Sequence, residues 1–463
     1  MKKLFVNNLG LIITFPLIFN LLRNLLTSED YFNFINFFDL TSSALIFLFL
    51  LSFGYLVKLT NNSLTLTFGI ILYLISFFIF ESIGYIFTTQ INLHTTFVIV
   101  NGLWLIYFLI NLKKKIYILF PTSTFILMRL FNLSQVDEIS FSKNLIGDVA
   151  DVFLPNILKI YENNLYFSLT NPVFEGYPQF MTYLDALIFK LSFGLYNYKF
   201  GLPTAFVFYF LFLLLFFETQ LSFKNKINAS LFFSILIFNS TWLQFLFVTS
   251  LMNERLASYL FIGILITIFT NNKEKNLKLV FFIFSFIFIT KQFFSVLLLV
   301  CFLVFTASKK YRKNSFLLLS AFLLRELYHV TYLRGVQKDH HIVQINISDT
   351  ILDIILFRNL SLENIVIILN NLFTDKPATY LIVLFFTISL LFRYLFRSDN
   401  TYEENLYLFL SVLNFLFIFL LYISVWRDME LESPIRYIYS FIPVYIVFIY
   451  LKLDRSVNKS FVA

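Results

Sequence analysis

Asp148 and Asp151, two carboxylates three residues apart, head a polar interval in an otherwise oily chain. On a helix that spacing puts both on one face. Like charges so close raise one of the two pKa values, and the edge of a bilayer desolvates both, which is how a general base is poised near neutral pH. A helix start accounts for the same pair without chemistry, since the macrodipole favours Asp in a first turn. The interval runs from Gly147 to Gly194 and also carries Pro155, Glu162, Asn163, Asn164, Asn171, Pro172, Glu175, Tyr177 and Pro178. Polar density of that kind needs water or a substrate beside it.

The elements that must position these residues are membrane helices. At 59% hydrophobic and 13% charged residues, with a mean hydropathy of +0.80, the chain lies far outside the soluble globular range. The net charge of +8 does not point to nucleic acid, because the Lys and Arg fall in short runs between apolar stretches, the pattern of orientation signals. The 66 Phe accompany abundant Leu, Ile, Asn and Lys, which reads as A- and T-rich codon usage rather than an aromatic binding surface. A single cysteine, Cys301, allows no intrachain disulfide and no cysteine metal cluster. His340 and His341 beside Asp339 are adjacent, and adjacent ligands seldom converge on one ion, so no metal is assigned. The 11 glycines form neither GxGxxG nor a P-loop, which leaves nucleotide binding without a motif. No fixed-period repeat and no inverted pair of broken helices occurs, and that weighs against transport.

A spanning helix needs roughly 20 mainly apolar residues. Five candidates precede the polar interval, at Leu4 to Leu22, Leu40 to Leu56, Leu64 to Phe87, Thr96 to Leu112 and Ile116 to Phe131. Lys2 and Lys3, then Lys58, then Lys113 to Lys115 fall on one side, and the positive-inside rule makes that side cytoplasmic. The fifth helix then delivers the interval to the extracytoplasmic face. Tyr177 to Phe193 is expected to be an amphipathic helix at the outer interface, because counting it as a span would put Lys224 and Lys226 outside. Carried to the end, the charge pattern predicts an all-α, polytopic fold of about 14 membrane helices. Interfacial helices occupy outer loops 134–200 and 332–379, and both termini are cytoplasmic. The organisation expected is an N-terminal group of helices over 1–115, a membrane module over 116–451 and a cytoplasmic tail over 452–463.

Within that module several motifs recur in order. Asp148-Val149-Ala150-Asp151-Val152-Phe153-Leu154-Pro155 is followed by Asn171-Pro172 and by Gly176-Tyr177-Pro178 leading into an apolar helix. Asn253-Glu254-Arg255, Thr290-Lys291, Ser433-Pro434-Ile435-Arg436-Tyr437 and Pro443 come later. The set resembles the GT-C polytopic glycosyltransferases, the class of protein mannosyltransferases and aminoarabinose transferases, over roughly Ile116 to Leu451. Departures are the five helices before the acidic loop where that class usually has one, Tyr177-Pro178-Gln179 in place of Tyr-Pro-Pro, and Glu254 in place of Asp.

The resemblance implies a bacterial-type inner-membrane enzyme that moves a sugar from a polyprenyl-phosphate donor to a hydroxyl of a glycan, lipid or protein acceptor, with inversion. Asp148 or its neighbour Asp151 would be the base. Such help is worth about 10² to 10⁴ in rate, and the departing phosphate requires fixed cations. Lys291, Arg325, Arg334 and Arg436 are the outer-face candidates for that contact; for Arg325 and Arg436 the alternative is an arginine snorkelling to the interface or paired there. Glu254 would orient the acceptor or pair with Arg255, and Tyr177, at the start of the interfacial helix, is counted with the substrate-binding residues. Beyond the bilayer, the donor and the acceptor, no nucleic acid is expected; no cofactor is assigned, and metal dependence is left open. Two other classes fit the same composition: a flippase or transporter for lipid-linked glycans, and an oligosaccharide polymerase or ligase relying on outer-loop arginines.

Overall fold

The computed structural model describes residues 37–133, 154–165, 180–191, 203–243, 294–328, 361–374, 379–387 and 438–460 with few interruptions, and a few isolated positions besides. Among the described residues every regular element is helical and none is a strand. The first group comprises α1 (Phe37–Thr60), α2 (Leu66–Ile86), α3 (Leu93–Asn111), a 3₁₀ turn (Lys115–Ile118) and α4 (Leu119–Leu133). The polar interval supplies α5 (Leu154–Glu162) and α6 (Phe180–Leu191). Then follow α7 (Pro203–Glu218), α8 (Phe223–Asn239), α9 (Phe294–Ala307), α10 (Arg312–Tyr328), α11 (Leu362–Thr374) and α12 (Ile442–Ser460).

Three of these helices are long and apolar enough to cross a membrane, over Ser43–Thr60, Leu66–Gly84 and Leu93–Asn111. They coincide with the second, third and fourth expected spans. By contrast α4, with 15 residues, is about 22 Å long against a hydrocarbon core of about 30 Å. The outward side of α3 presents Val98, Leu103, Ile106 and Ile110, all more than half exposed. A row of that kind is untenable in water and suits lipid, and the chain is a membrane protein.

The helices pack by stripes. On α1 the buried positions Ile46, Phe49, Leu50, Phe53, Leu56 and Val57 recur at helical spacing and meet α2, α4 and α7. Close approach of α1 to α2 depends on two glycines: a Cβ on Gly69 would stand 2.7 Å from the Gly54 carbonyl oxygen, and a Cβ on Gly54 would stand 2.6 Å from that of Leu66. Small residues at a membrane helix interface permit such contact. Between α2 and α3 the contacts are partly polar. Tyr73 Oη donates to Asn101 Oδ1 at 2.8 Å, and Trp104 Nε1 donates to Ser76 Oγ at 2.9 Å. Trp104 lies inside α3 and its indole joins two helices.

Carboxylates join distant turns. Glu218, the last residue of α7, accepts from the backbone N–H groups of Leu66 and Thr67 at 2.5 and 2.8 Å, capping α2 from another helix. Those N–H groups have no partner within their own helix, and an anion is favoured at that end. Asp454 on α12 accepts from the backbone N–H and hydroxyl of Ser222, the N-cap of α8, and from the Asn225 side chain. The turns at 61–65 and 219–222 and the end of α12 therefore share one end of the bundle.

Candidate functional site

Most of the residues singled out for chemistry, Asp148, Asp151, Tyr177, Glu254, Lys291, Arg334 and Arg436, lie outside the described residues. Arg325 is in α10, one turn before its end. What the structure does describe is the ground on which the polar interval stands.

Helix α5 begins at Leu154, with Pro155 as its second residue, where the missing N–H removes no helical bond and the fixed φ suits a first turn. It ends at Glu162, and Asn163 and Asn164 follow as its stop, in accord with the sequence. Leu154, Asn156, Ile157 and Ile160 are its buried residues and turn one face inward. That face meets α6. Along α6 every residue from Phe180 to Leu191 is buried except Lys190. The expected amphipathic surface helix is thus an enclosed one, because α2, α5 and α7 all pack against it. Lys190 reaches over the Tyr161 ring, 5.0 Å from its centroid, a cation–π contact joining α5 to α6. Burial holds the Lys190 ammonium below its ordinary pKa. The Tyr161 phenol is pushed above its own, by burial first and by the neighbouring Glu162 carboxylate second.

The interval is fastened to the N-terminal helices by Glu81. This residue lies five positions before the end of α2 and is 5% exposed. Its Oε2 accepts from the backbone N–H of Leu165 at 3.0 Å, and its Oε1 accepts from the Tyr183 hydroxyl at 3.1 Å. Thr96, fully buried on α3, adds a hydroxyl beside the carboxylate. A third tie of the interval runs from the Leu93 N–H to the Asn163 carbonyl at 3.2 Å. Each donor to Glu81 is itself buried, Leu165 at 1% and Tyr183 at 0%, so the carboxylate replaces water for two groups that have lost it. With both oxygens so engaged, Glu81 is an anchor for the interval and not a free base.

Compared with family models, with curated proteins and with solved structures, the chain matches none.

Glu81 was missed in the sequence, although a signal for it was there. An ionisable residue inside a run that otherwise spans lipid is expensive unless it turns inward to a partner. Leu64 to Phe87 was such a run, and Glu81 was its one charged residue. Nothing local to Leu165 or Tyr183 marks them as its partners, since they stand 84 and 102 residues away.

Proposed function

We propose that the chain is a multi-pass inner-membrane glycosyltransferase of GT-C type, with about 14 helices, both termini cytoplasmic and the polar interval outside. A carboxylate of the Asp148/Asp151 pair, with Asp148 preferred, takes the proton of an acceptor hydroxyl as that oxygen bonds to the anomeric carbon. The bond from the anomeric carbon to the phosphate oxygen breaks, polyprenyl phosphate leaves with the electron pair, and the anomeric centre is inverted. Lys291, Arg325, Arg334 and Arg436 are the cations offered to the departing phosphate, Glu254 orients the acceptor, and Tyr177 borders the donor.

The observation that carries this proposal is the separation of two ends of the helix bundle. At one end the contacts of Glu81 and Leu93 hold residues 163–165 and α6. At the other, Glu218 and Asp454 draw together the turns beside Lys58, Lys224 and Lys226 and the end of α12. Lysine-bearing turns at one end and residues 163–165 of the polar interval at the other is an arrangement that agrees with what the positive-inside rule requires of an outward-facing site. A transporter instead needs ionisable groups near the middle of several spans. In the three described spans the Lys, Arg, His, Asp and Glu are Lys58, Glu81 and His94, all nearer an end than the middle.

The test is a deletion strain in which polyprenyl-phosphate sugars are profiled by mass spectrometry. One such donor accumulates, and the native chain returns it to its normal level. Asp148→Asn, present in the membrane at native abundance, leaves the donor accumulated. If Asp148→Asn and Asp151→Asn both restore the normal profile, the proposed base is wrong; if no donor accumulates on deletion, the transferase assignment is.

A further inference from the structure

A groove of about 470 Å³ runs along the seam of α2 and α3. Its wall on α2 is Leu72, Ser76 and Phe80, at successive turns; its wall on α3 is Val100, Leu103, Trp104 and Tyr107, at the same helical spacing. The α2 wall is about 12 Å long at 1.5 Å per residue. Thr60, Asn61 and Leu64, from the turn joining α1 to α2, line the groove as well, together with Val57. Tyr107 reaches Thr60 there, Oη to Oγ1 at 3.4 Å, so a hydroxyl-bearing end adjoins a hydrocarbon-lined channel.

Cations lie close to that end in the chain. Lys58 lies two residues before Thr60, and Lys113, Lys114 and Lys115 follow the end of α3 at Asn111; all four are exposed. The carboxylate at the same end, Glu218, is engaged with the Leu66 and Thr67 N–H groups. An apolar slot about as long as two helical turns, opening to lipid along the poorly covered α3 and ending in hydroxyls, with exposed lysines close by in the chain, has the polarity of one ligand class. We propose that the α2–α3 groove holds an anionic phospholipid of the bilayer, one acyl chain against Leu72, Phe80 and Leu103 and the phosphate beside Lys58 and Lys113 to Lys115. The site is separate from the outer polar interval and independent of the transferase proposal.

The experiment uses the full chain with Trp242→Phe and Trp426→Phe, which leaves Trp104 as the one tryptophan of three. Retained fold is checked through the protection of Cys301, which is buried in the native chain. The delipidated protein is titrated with phosphatidylglycerol or phosphatidylcholine brominated on an acyl chain, and Trp104 quenching is followed. Half-quenching is expected at a mole fraction on the order of tenfold lower for phosphatidylglycerol, given the attraction of each basic residue for an anionic lipid. Changing Lys58, Lys113, Lys114 and Lys115 together to Gln brings the two lipids level and leaves quenching by phosphatidylcholine as it was. Equal quenching by the two lipids in the parent, or a preference that survives the four substitutions, overturns the proposal. Undecaprenyl phosphate displacing brominated phosphatidylglycerol at a lower mole fraction than unlabelled phosphatidylglycerol also overturns it, since the groove then prefers an isoprenoid chain.

Discussion

Removing the Glu81 carboxylate tests whether the N-terminal helices hold the polar interval in place. In Glu81→Ala the Leu165 N–H and the Tyr183 hydroxyl both lose their acceptor while remaining buried. Each unsatisfied donor costs about 1–3 kcal/mol, and loss of the carboxylate's own burial cost returns part of that, so a net destabilisation of about 2–4 kcal/mol is expected. Tyr183→Phe keeps the ring and removes one donor, for about 1 kcal/mol. The chain offers a direct assay, because its single cysteine, Cys301, is buried and free. A thiol-reactive fluorophore stays dark on the folded protein and reports the temperature at which the helices open. Midpoints of native, Glu81→Ala, Tyr183→Phe and the double variant form a cycle, in which residues in contact couple by about 0.5–3 kcal/mol. The double variant, which no longer buries an orphaned hydroxyl, should therefore melt no lower than Glu81→Ala alone. Strictly additive losses, or a Glu81→Ala midpoint equal to the native one, would refute the anchoring role.

Other expectations follow from contacts with as little slack. Gly69→Ala drives a methyl into the Gly54 backbone, at 2.7 and 2.9 Å from its carbonyl oxygen and Cα; α1 and α2 must separate, for about 1–3 kcal/mol in the same thiol assay. Glu218→Ala uncaps α2 and should cost about 1–2 kcal/mol, with Glu218→Asp too short to restore both bonds. Lys190→Met should change stability in a pH-dependent way. Burial depresses the Lys190 pKa in the folded chain, so the charged form opposes folding below that pKa and the penalty disappears as pH rises through it. The midpoint of the native chain should accordingly gain on that of Lys190→Met with rising pH, and a constant difference would show that the ammonium is fully solvated.

The sequence was most legible where hydrophobic runs were long and uninterrupted. Of the runs read at Leu40 to Leu56, Leu64 to Phe87 and Thr96 to Leu112, the first and third are helices that start a few residues early, the third behind Asn92, whose side chain accepts from the Thr95 N–H, and the second is a helix that fits within its run. The stop at Asn163 was legible for the same local reason. Less so was α6, whose burial on all sides depends on α2, α5 and α7, none of which leaves a mark on the string Phe180 to Leu191. Apolar composition looks alike whether a helix faces lipid or protein. Trp104 and Glu81 escaped for a related reason, since their partners Ser76 and Tyr183 are far off in sequence and were paired by packing. As for the proposed chemistry, Asp148 and Asp151 were visible by type and spacing alone.

The position of α2 explains why helices with no evident chemistry would precede a catalytic module. Its first turn is capped by Glu218 from α7, and near its last turn Glu81 holds Leu165 and Tyr183. One rigid helix thus joins the lysine-bearing end of the bundle to the segment that follows the candidate base. The two attachments differ in kind. The Glu218 cap satisfies α2 itself, so its loss frays one helix end; the Glu81 contacts satisfy groups on other segments, so their loss frees Leu165 and α6 from α2 while α2 stays helical. If Asp148 must be held against a sugar donor, Glu81→Ala should therefore lower turnover in the donor-profiling assay even at temperatures where the thiol of Cys301 remains protected, whereas Glu218→Ala should lower it only as the fold itself is lost.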